Sequence, residues 1–359
     1  MTETVAFLLV LAATAAWLLL PLLPAVTELL RPTDITPLQV VGRDAANVAL
    51  FAQGFRAYLH RQLEFLPTDT PVESIGTLPD RTPYVRGPRL PESLLEEARR
   101  ERGLDRLVVL TGPATLAGGE TFLRELYASR GFAGGPRTIY RAVLGDVGLT
   151  LGPGTVVLRW VHARGDLLVG DDSVLAGRAS SDQVIRLGGQ VHFDRLAAER
   201  IVVAGGASLP DLPAPTPQPF VIPAGIARQI GDHTRVTGDL LVPRDSVLNG
   251  DLVVSGSVTI GPGAHLVGSL KAHGEIHLGE GAKVDGSVIS RTNIRSEFRV
   301  TIGGPVVAEE EIRLGSGNTV GQQHRPSSLA APRIELGIGT IVHGLITATE
   351  GGTTAALPE

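Results

Sequence analysis

From His233 to Gln322 the chain reads as five rows of eighteen residues with no gap: HTRVTGDLLVPRDSVLNG, DLVVSGSVTIGPGAHLVG, SLKAHGEIHLGEGAKVDG, SVISRTNIRSEFRVTIGG and PVVAEEEIRLGSGNTVGQ. The columns are chemically coherent. Column eight holds Leu240, Val258, Ile276, Ile294 and Ile312; column ten holds Val242, Ile260, Leu278, Ser296 and Leu314; column sixteen holds Leu248, Leu266, Val284, Ile302 and Val320. Column two is mostly aliphatic, and column four is small or aliphatic. Each row therefore offers inward side chains at positions two, four, eight, ten and sixteen, the alternation of short strands separated by turns. Gly261, Gly279 and Gly315 in column eleven, with Gly263, Gly281 and Gly317 in column thirteen, mark a corner where a positive φ is expected.

The frame continues on both sides. Four inserted residues within QQHRPSSLAAPR precede Ile334, Leu336, Gly337, Gly339, Val342 and Gly344, which resume the columns. Upstream, Leu149, Leu167 and Ile185 are eighteen apart, as are Val157, Leu175 and Phe193, and Gly152, Gly170 and Gly188. A period this regular with strand-and-turn content specifies an all-β solenoid, a parallel β-helix with 18-residue rungs. Rows stack about 4.8 Å apart, and no row buries its apolar residues alone. Whichever row is last presents an open edge unless capped. The expected organisation is a first block over 141–204, a Pro-rich linker or loop over 205–232, a main β-helix over 233–350 and a flexible tail over 351–359.

Composition agrees with many small layers. Aromatic residues are only 4% of the chain, so Val, Ile, Leu and Ala must fill the core. A net charge of −5 gives no general attraction to nucleic acid, which is excluded as a partner. The absence of cysteine rules out disulfides, thiolate catalysis and Cys-ligated zinc.

Val5 to Val26 contains no charged residue, and at about 1.5 Å per residue it spans a hydrocarbon core of about 30 Å. No Lys or Arg precedes it, and it exceeds the roughly 7 to 15 apolar residues of a signal peptide. Residues 1–30 are therefore expected to form a transmembrane anchor. Arg31, Arg43, Arg56 and Arg61 follow it, which places the C-terminal bulk in the cytoplasm.

Residues 31–140 read as a small α/β juxtamembrane segment. Ala45 to Leu63 has helical spacing, PESLLEEARRERG is a helix stopped by Gly103, and RLVVLTGPATLAGGETFLRELY is a strand, a Gly-rich turn and a helix. The turn resembles a phosphate loop only superficially, because Glu120 stands where such a loop needs Lys.

The stretch GDLVVSGSVTIGPGAHLVGSLKAHGEIHLGEGAKVDGSV resembles the bactofilin group of polymer-forming bacterial cytoskeletal proteins, whose rows commonly run G-x-[LV]-x-[IL]-G-x-G-x-x-[VI]-x-G. The likeness covers residues 233–348 well and 149–204 more loosely; row four carries Glu297 and Arg299 in place of the corner glycines. It implies a right-handed β-helix of triangular section that joins end to end into nucleotide-independent filaments. With the anchor, it implies a single-pass protein of the bacterial inner membrane, partnered by copies of itself, by the membrane and by envelope proteins.

No catalytic, metal or cofactor site is expected, and no cofactor is required. The residues expected to matter are the inward core of self-assembling rows, Leu240, Val258, Ile260, Ile276, Leu278, Ile294, Ile312, Leu314, Ile334, Leu336 and Val342, together with the six corner glycines. The alternative is a left-handed hexapeptide-repeat trimeric enzyme, an acyltransferase or γ-carbonic anhydrase, with histidines meeting between subunits. That fold prefers a small residue two before each aliphatic, whereas column eight carries Ile, Val or Leu. His162, His192, His233, His265, His273, His277, His324 and His343 fall mostly in outward columns. Glu309 to Glu311 reads as an acidic solvated face, no Ser, His and Asp set has a supporting motif, and Trp160 is expected to close against the juxtamembrane segment.

Overall fold

The computed structural model describes residues 48–63, 74–100, 102–205 and 218–355, together with Val5 and Thr14. The chain separates into two units, Met1–Asn47 and Val48–Glu359, of which the second is an all-β parallel solenoid of about 13 turns with two short helices. The expected anchor lies outside the described residues apart from those two. Among the described residues no helix is long and apolar enough to cross a membrane.

In the main stack the register is the one set by the rows. Leu240–Val242, Val258–Ile260, Ile276–Leu278, Asn293–Ser296 and Glu311–Leu314 pair in parallel in that order, so Leu240 lies beside Val258, Val258 beside Ile276, and Ile276 beside Ile294. Two further parallel ladders carry columns two to four and fifteen to sixteen, giving three sheets around one interior. All eleven aliphatics expected to face inward are at most 4% exposed. Column fourteen is inward too: Ser246, Ala264, Ala282, Val300 and Asn318 are buried. Asn318 accepts the Val300 N–H at 2.7 Å and donates to the Ser296 hydroxyl, which satisfies the polar row-four substitution in column ten.

The corner glycines divide into two physical classes. Column thirteen has a positive φ in every rung of both stacks, between 52° and 79°, and it is occupied by Gly263, Gly281, Gly317 and Gly339 but also by Asp172, Gln190, Asp245 and Arg299. Column eleven has ordinary φ, and its glycines are needed for space. A β-carbon on Gly261 would lie 2.6 Å from the Arg244 backbone nitrogen, and one on Gly279 would lie 2.8 Å from that of Pro262. The expectation of positive φ is thus corrected for Gly261, Gly279 and Gly315.

The first stack begins earlier than residue 141. Leu107–Leu110, Thr121–Ala128, Ile139–Gly145, Val156–Ala163 and Val174–Ser181 pair in parallel, and Pro83–Gly87 joins the same ladder. The helix expected at TFLRELY is therefore a strand. Phe122 and Leu126 are four apart, which suits a helical face, but a bulge between Phe122 and Glu125 gives a strand the same spacing. Two helices occur where the sequence places them, α1 over Leu50–Leu63 and α2 over Glu92–Ala98. The buried Leu94 and Ala98 of α2 belong to the solenoid core with Leu90 and Leu104. On the outside of the ladder, Phe55 of α1 packs on Trp160 with ring centroids 5.5 Å apart, and Arg56 pairs with Asp146 at 2.8 Å. Trp160 thus closes against the preceding segment as expected.

The two corner columns give opposite expectations. Gly263→Ala should cost about 1 kcal/mol, the strain of a left-handed residue that other rungs already accept. Gly261→Ala should cost more, because a β-carbon there meets backbone rather than a movable side chain. Denaturant midpoints check the order; equal losses would contradict the division.

Candidate functional site

The feature that organises the molecule is the junction of its two stacks. The strand His192–Val203 supplies the last rung of the first stack, and Ile341–Thr354 runs through the last rung of the second. They pair antiparallel along all three sides: His192 and Phe193 lie opposite Thr353 and Gly352, Arg195 to Ala198 opposite Thr347 to Gly344, and Ile201 and Val202 opposite Val342 and Ile341. The stacks therefore meet tail to tail. Val203 N–H donates to the Thr340 carbonyl at 3.0 Å, and Gly339 N–H donates back to Val203 at 3.1 Å. At another corner the Thr354 hydroxyl donates to the Gly188 carbonyl at 2.8 Å and accepts the Val191 N–H at 2.9 Å. Phe193 lies so close over Gly352 that a β-carbon there has no room.

This junction corrects two expectations. Val342 belongs to a capped rung rather than an open last row, because its edge is paired with Ile201. Residues 351–355 are not a tail, since Gly351 to Thr354 are strand and Ala355 accepts the Gln190 N–H at 3.3 Å. The remaining residues, 356–359, lie outside the described residues.

The described part of the expected linker is also structured. Gln218–Pro219 pairs in parallel with Ser246–Asn249, and Ala227–Ile230 pairs antiparallel with His233–Val236. Ile222 is buried, with Phe220 and Ala227 packed on the core. Two of the three sheets thus have their edges covered at the head of the second stack. Leu240–Val242 pairs only with Val258–Ile260 among the described residues, and Leu241 is 67% exposed. Val221, Ile226 and Ile230 of the cover are exposed as well.

Charged groups elsewhere are mostly self-satisfied. Glu120 is fully buried and accepts from Arg99 at 3.1 Å, from the Gly118 N–H at 3.0 Å and from the Thr138 hydroxyl at 3.3 Å. The Gly-rich turn is therefore filled by its own carboxylate. Glu311, of the acidic run, pairs with Arg313 at 3.0 Å, and Arg313 reaches Glu335 at 3.5 Å, a ladder of outward ion pairs. Among the described residues no group of three His, Cys, Asp or Glu could hold a metal ion.

His162 departs from the outward placement expected of the histidines. It is 3% exposed, its Nδ1 lies 2.9 Å from the Ser180 hydroxyl, and its Nε2 lies 3.7 Å from Asp182. Serine, histidine and aspartate come together here without any sequence motif, because Ser180 stands beside His162 in the next rung. Ser180 is itself 3% exposed, so the hydroxyl has no room to meet a substrate, and the group is a buried polar contact. Burial lowers the His162 pKa, Asp182 opposes that shift, and Arg56 of α1 and Arg164 reinforce it. The remaining histidines are partly or fully exposed. His265 and His277 meet Asp285 at 2.9 Å and Glu297 at 3.3 Å.

In comparison with known proteins, the chain matches no family model, no curated sequence and no solved structure.

Two measurements test the site. Val342→Asp puts a carboxylate between Ile201 and the core; it should cost at least about 3 kcal/mol and split one thermal transition into two as the stacks uncouple. A single unshifted transition would contradict the junction. His162 has a folded pKa below its unfolded value of about 6.5, so its neutral form contributes stability above that pH, which is lost as pH falls through 6.5 towards the folded pKa. The melting temperature should therefore drop more between pH 7.5 and 5.5 in the native chain than in His162→Gln.

Proposed function

We propose that the protein is a non-catalytic, membrane-tethered β-helical scaffold of bactofilin type, right-handed, anchored by Val5 to Val26 with its solenoid in the bacterial cytoplasm. One observation carries the reading: among the described residues Leu240–Val242 has no strand partner on its outer edge at the head of the second stack, with Leu241 exposed beside it. An unpaired edge beside apolar surface is the physical basis of strand-to-strand association between copies, and it needs no nucleotide or metal. Supporting it, the interior is packed with apolar side chains from Val85 to Ala348, which leave no substrate chamber within the rungs among the described residues.

The same geometry limits how assembly proceeds. Both tail ends are consumed within the chain, and the head of the first stack is plugged by α2 and edged by Ser74–Thr77. Association through Leu240–Val242 then pairs two copies head to head. Longer polymers would require the first-stack head to take part. Envelope proteins are the further partners of such a scaffold.

The test uses the full-length protein in mild detergent, without nucleotide or metal, by sedimentation and negative-stain electron microscopy. The native chain should form head-to-head pairs or longer arrays. Leu241→Lys should reduce it to monomers without changing the stability of the fold by more than about 0.5 kcal/mol, since it changes an exposed edge position. Discrete trimers in both proteins would move the reading to the hexapeptide-repeat enzyme.

A further inference from the structure

The first stack carries a ridge along one corner that the scaffold reading does not use. The residues following the paired Phe122, Tyr140 and Val157 are Leu123, Arg141 and Leu158, and those preceding the paired Glu125, Ala142 and Trp160 are Arg124, Arg141 and Arg159. Bulges at this corner admit the extra residue in the first and third of these rungs. Leu123 and Leu158 are 40% and 50% exposed, and here they stand directly beside the ridge arginines. Arginine continues the line towards the head of the stack with Arg106, just before Leu107; in the following rungs the line passes to Ala176, Gly177 and Asp194, while Arg178 and Arg195 stand in the Trp160 column and Arg178 lies over the Phe51 ring of α1 at 4.5 Å. Asp105 and Glu125 neutralise part of this charge, holding Arg124 at 2.7 Å and Arg141 at 3.1 Å, and Asp194 lies at the far end. Over the rungs from Arg106 to Arg159, four arginines against two carboxylates leave a basic ridge on a chain whose net charge is −5.

We propose that this ridge is a docking surface for an anionic lipid leaflet, with Leu123 and Leu158 entering the boundary between headgroups and acyl chains and the arginines meeting lipid phosphates. Arginine alone would suit any polyanion; exposed leucines set between arginines in successive rungs suit a surface that is anionic outside and apolar beneath. Successive rungs about 4.8 Å apart place these groups in one line along the solenoid axis, so a flat surface can meet all of them. The inference deepens the membrane-tethered reading and relies on it only to bring a leaflet within reach. It adds that the solenoid lies on the membrane along this corner.

The lack of cysteine makes the test direct. The full chain with Leu158→Cys, or with Val267→Cys as a reference at an exposed position of the second stack, is labelled with a fluorophore. Each is mixed with vesicles of phosphatidylcholine alone or with about one-third phosphatidylglycerol, both containing brominated lipid. The Leu158 label should be quenched with phosphatidylglycerol and at least about threefold less without it, the Val267 label in neither, and added salt should reverse the difference. Arg124→Gln with Arg141→Gln and Arg159→Gln should abolish the quenching; Arg159→Gln alone, at an exposed position, should weaken it if the triple variant does not fold. Flotation reads the anchor separately. Flotation with both vesicles but no quenching at Leu158 overturns the ridge and leaves the anchor standing. Flotation only with phosphatidylglycerol, with Leu158 quenched, supports the ridge without an anchor, and failure to float with either overturns both. Quenching of both labels alike, or binding of soluble polyglutamate in its place, also overturns the lipid assignment.

Discussion

Unpaired strand edges are the constraint on which the rest of the structure depends. A parallel solenoid satisfies its backbone by passing hydrogen bonds from rung to rung, so each stack leaves three strands without partners at either end. A short globular sheet can blunt its edges one at a time; a stack cannot, because its edge strands surround an apolar interior that is open as well. This chain uses a different device at each end. Helix α2 enters the core at the head of the first stack, and a hairpin with a proline-containing strand covers most of the head of the second. The two tails satisfy each other through antiparallel pairing.

That solution explains why the interior is continuous although the chain is divided. One hydrophobic cluster runs from Val85 through Leu196 and Ile201 to Ile346 and Ala348. A repeat protein ordinarily derives its stability from nearest-neighbour contacts, and the tail-to-tail contact acts as one more neighbour, reversed in direction. The polar rows are fitted to the same logic. Ser296 in column ten is tolerated because Asn318 reaches it from the following rung, and His162 is tolerated because Ser180 stands beside it.

Much of the fold was legible in the sequence because a period of eighteen fixes the register and alternation fixes the inward face. Leu240, Ile276 and Leu314 declare themselves as core without any knowledge of the third dimension. Column fourteen did not, since Ser246, Ala264 and Ala282 resemble turn residues, and only a narrow corner makes a small side chain an inward one. Glycine identity likewise conceals two causes, close approach at Gly261 and left-handed backbone at Gly263, which separate only when coordinates show the neighbouring rung. The early rungs escaped notice where bulges shift the period, as between Phe122 and Glu125. The junction was invisible for a deeper reason. Antiparallel pairing of two tails leaves no periodic trace, because it joins segments far apart in sequence by edges that every rung possesses.

The tail-to-tail arrangement also sets a temporal order. Rungs of either stack can be added as the chain leaves the ribosome, each on the one before it, with contacts that are short in sequence. The strand Ile341–Thr354 is synthesised after every strand it pairs with. Until it emerges, His192–Val203 waits with its outer edge bare, and the growing second stack has no terminus. The nascent chain therefore carries adhesive surfaces through most of its translation, and one late event closes both stacks together.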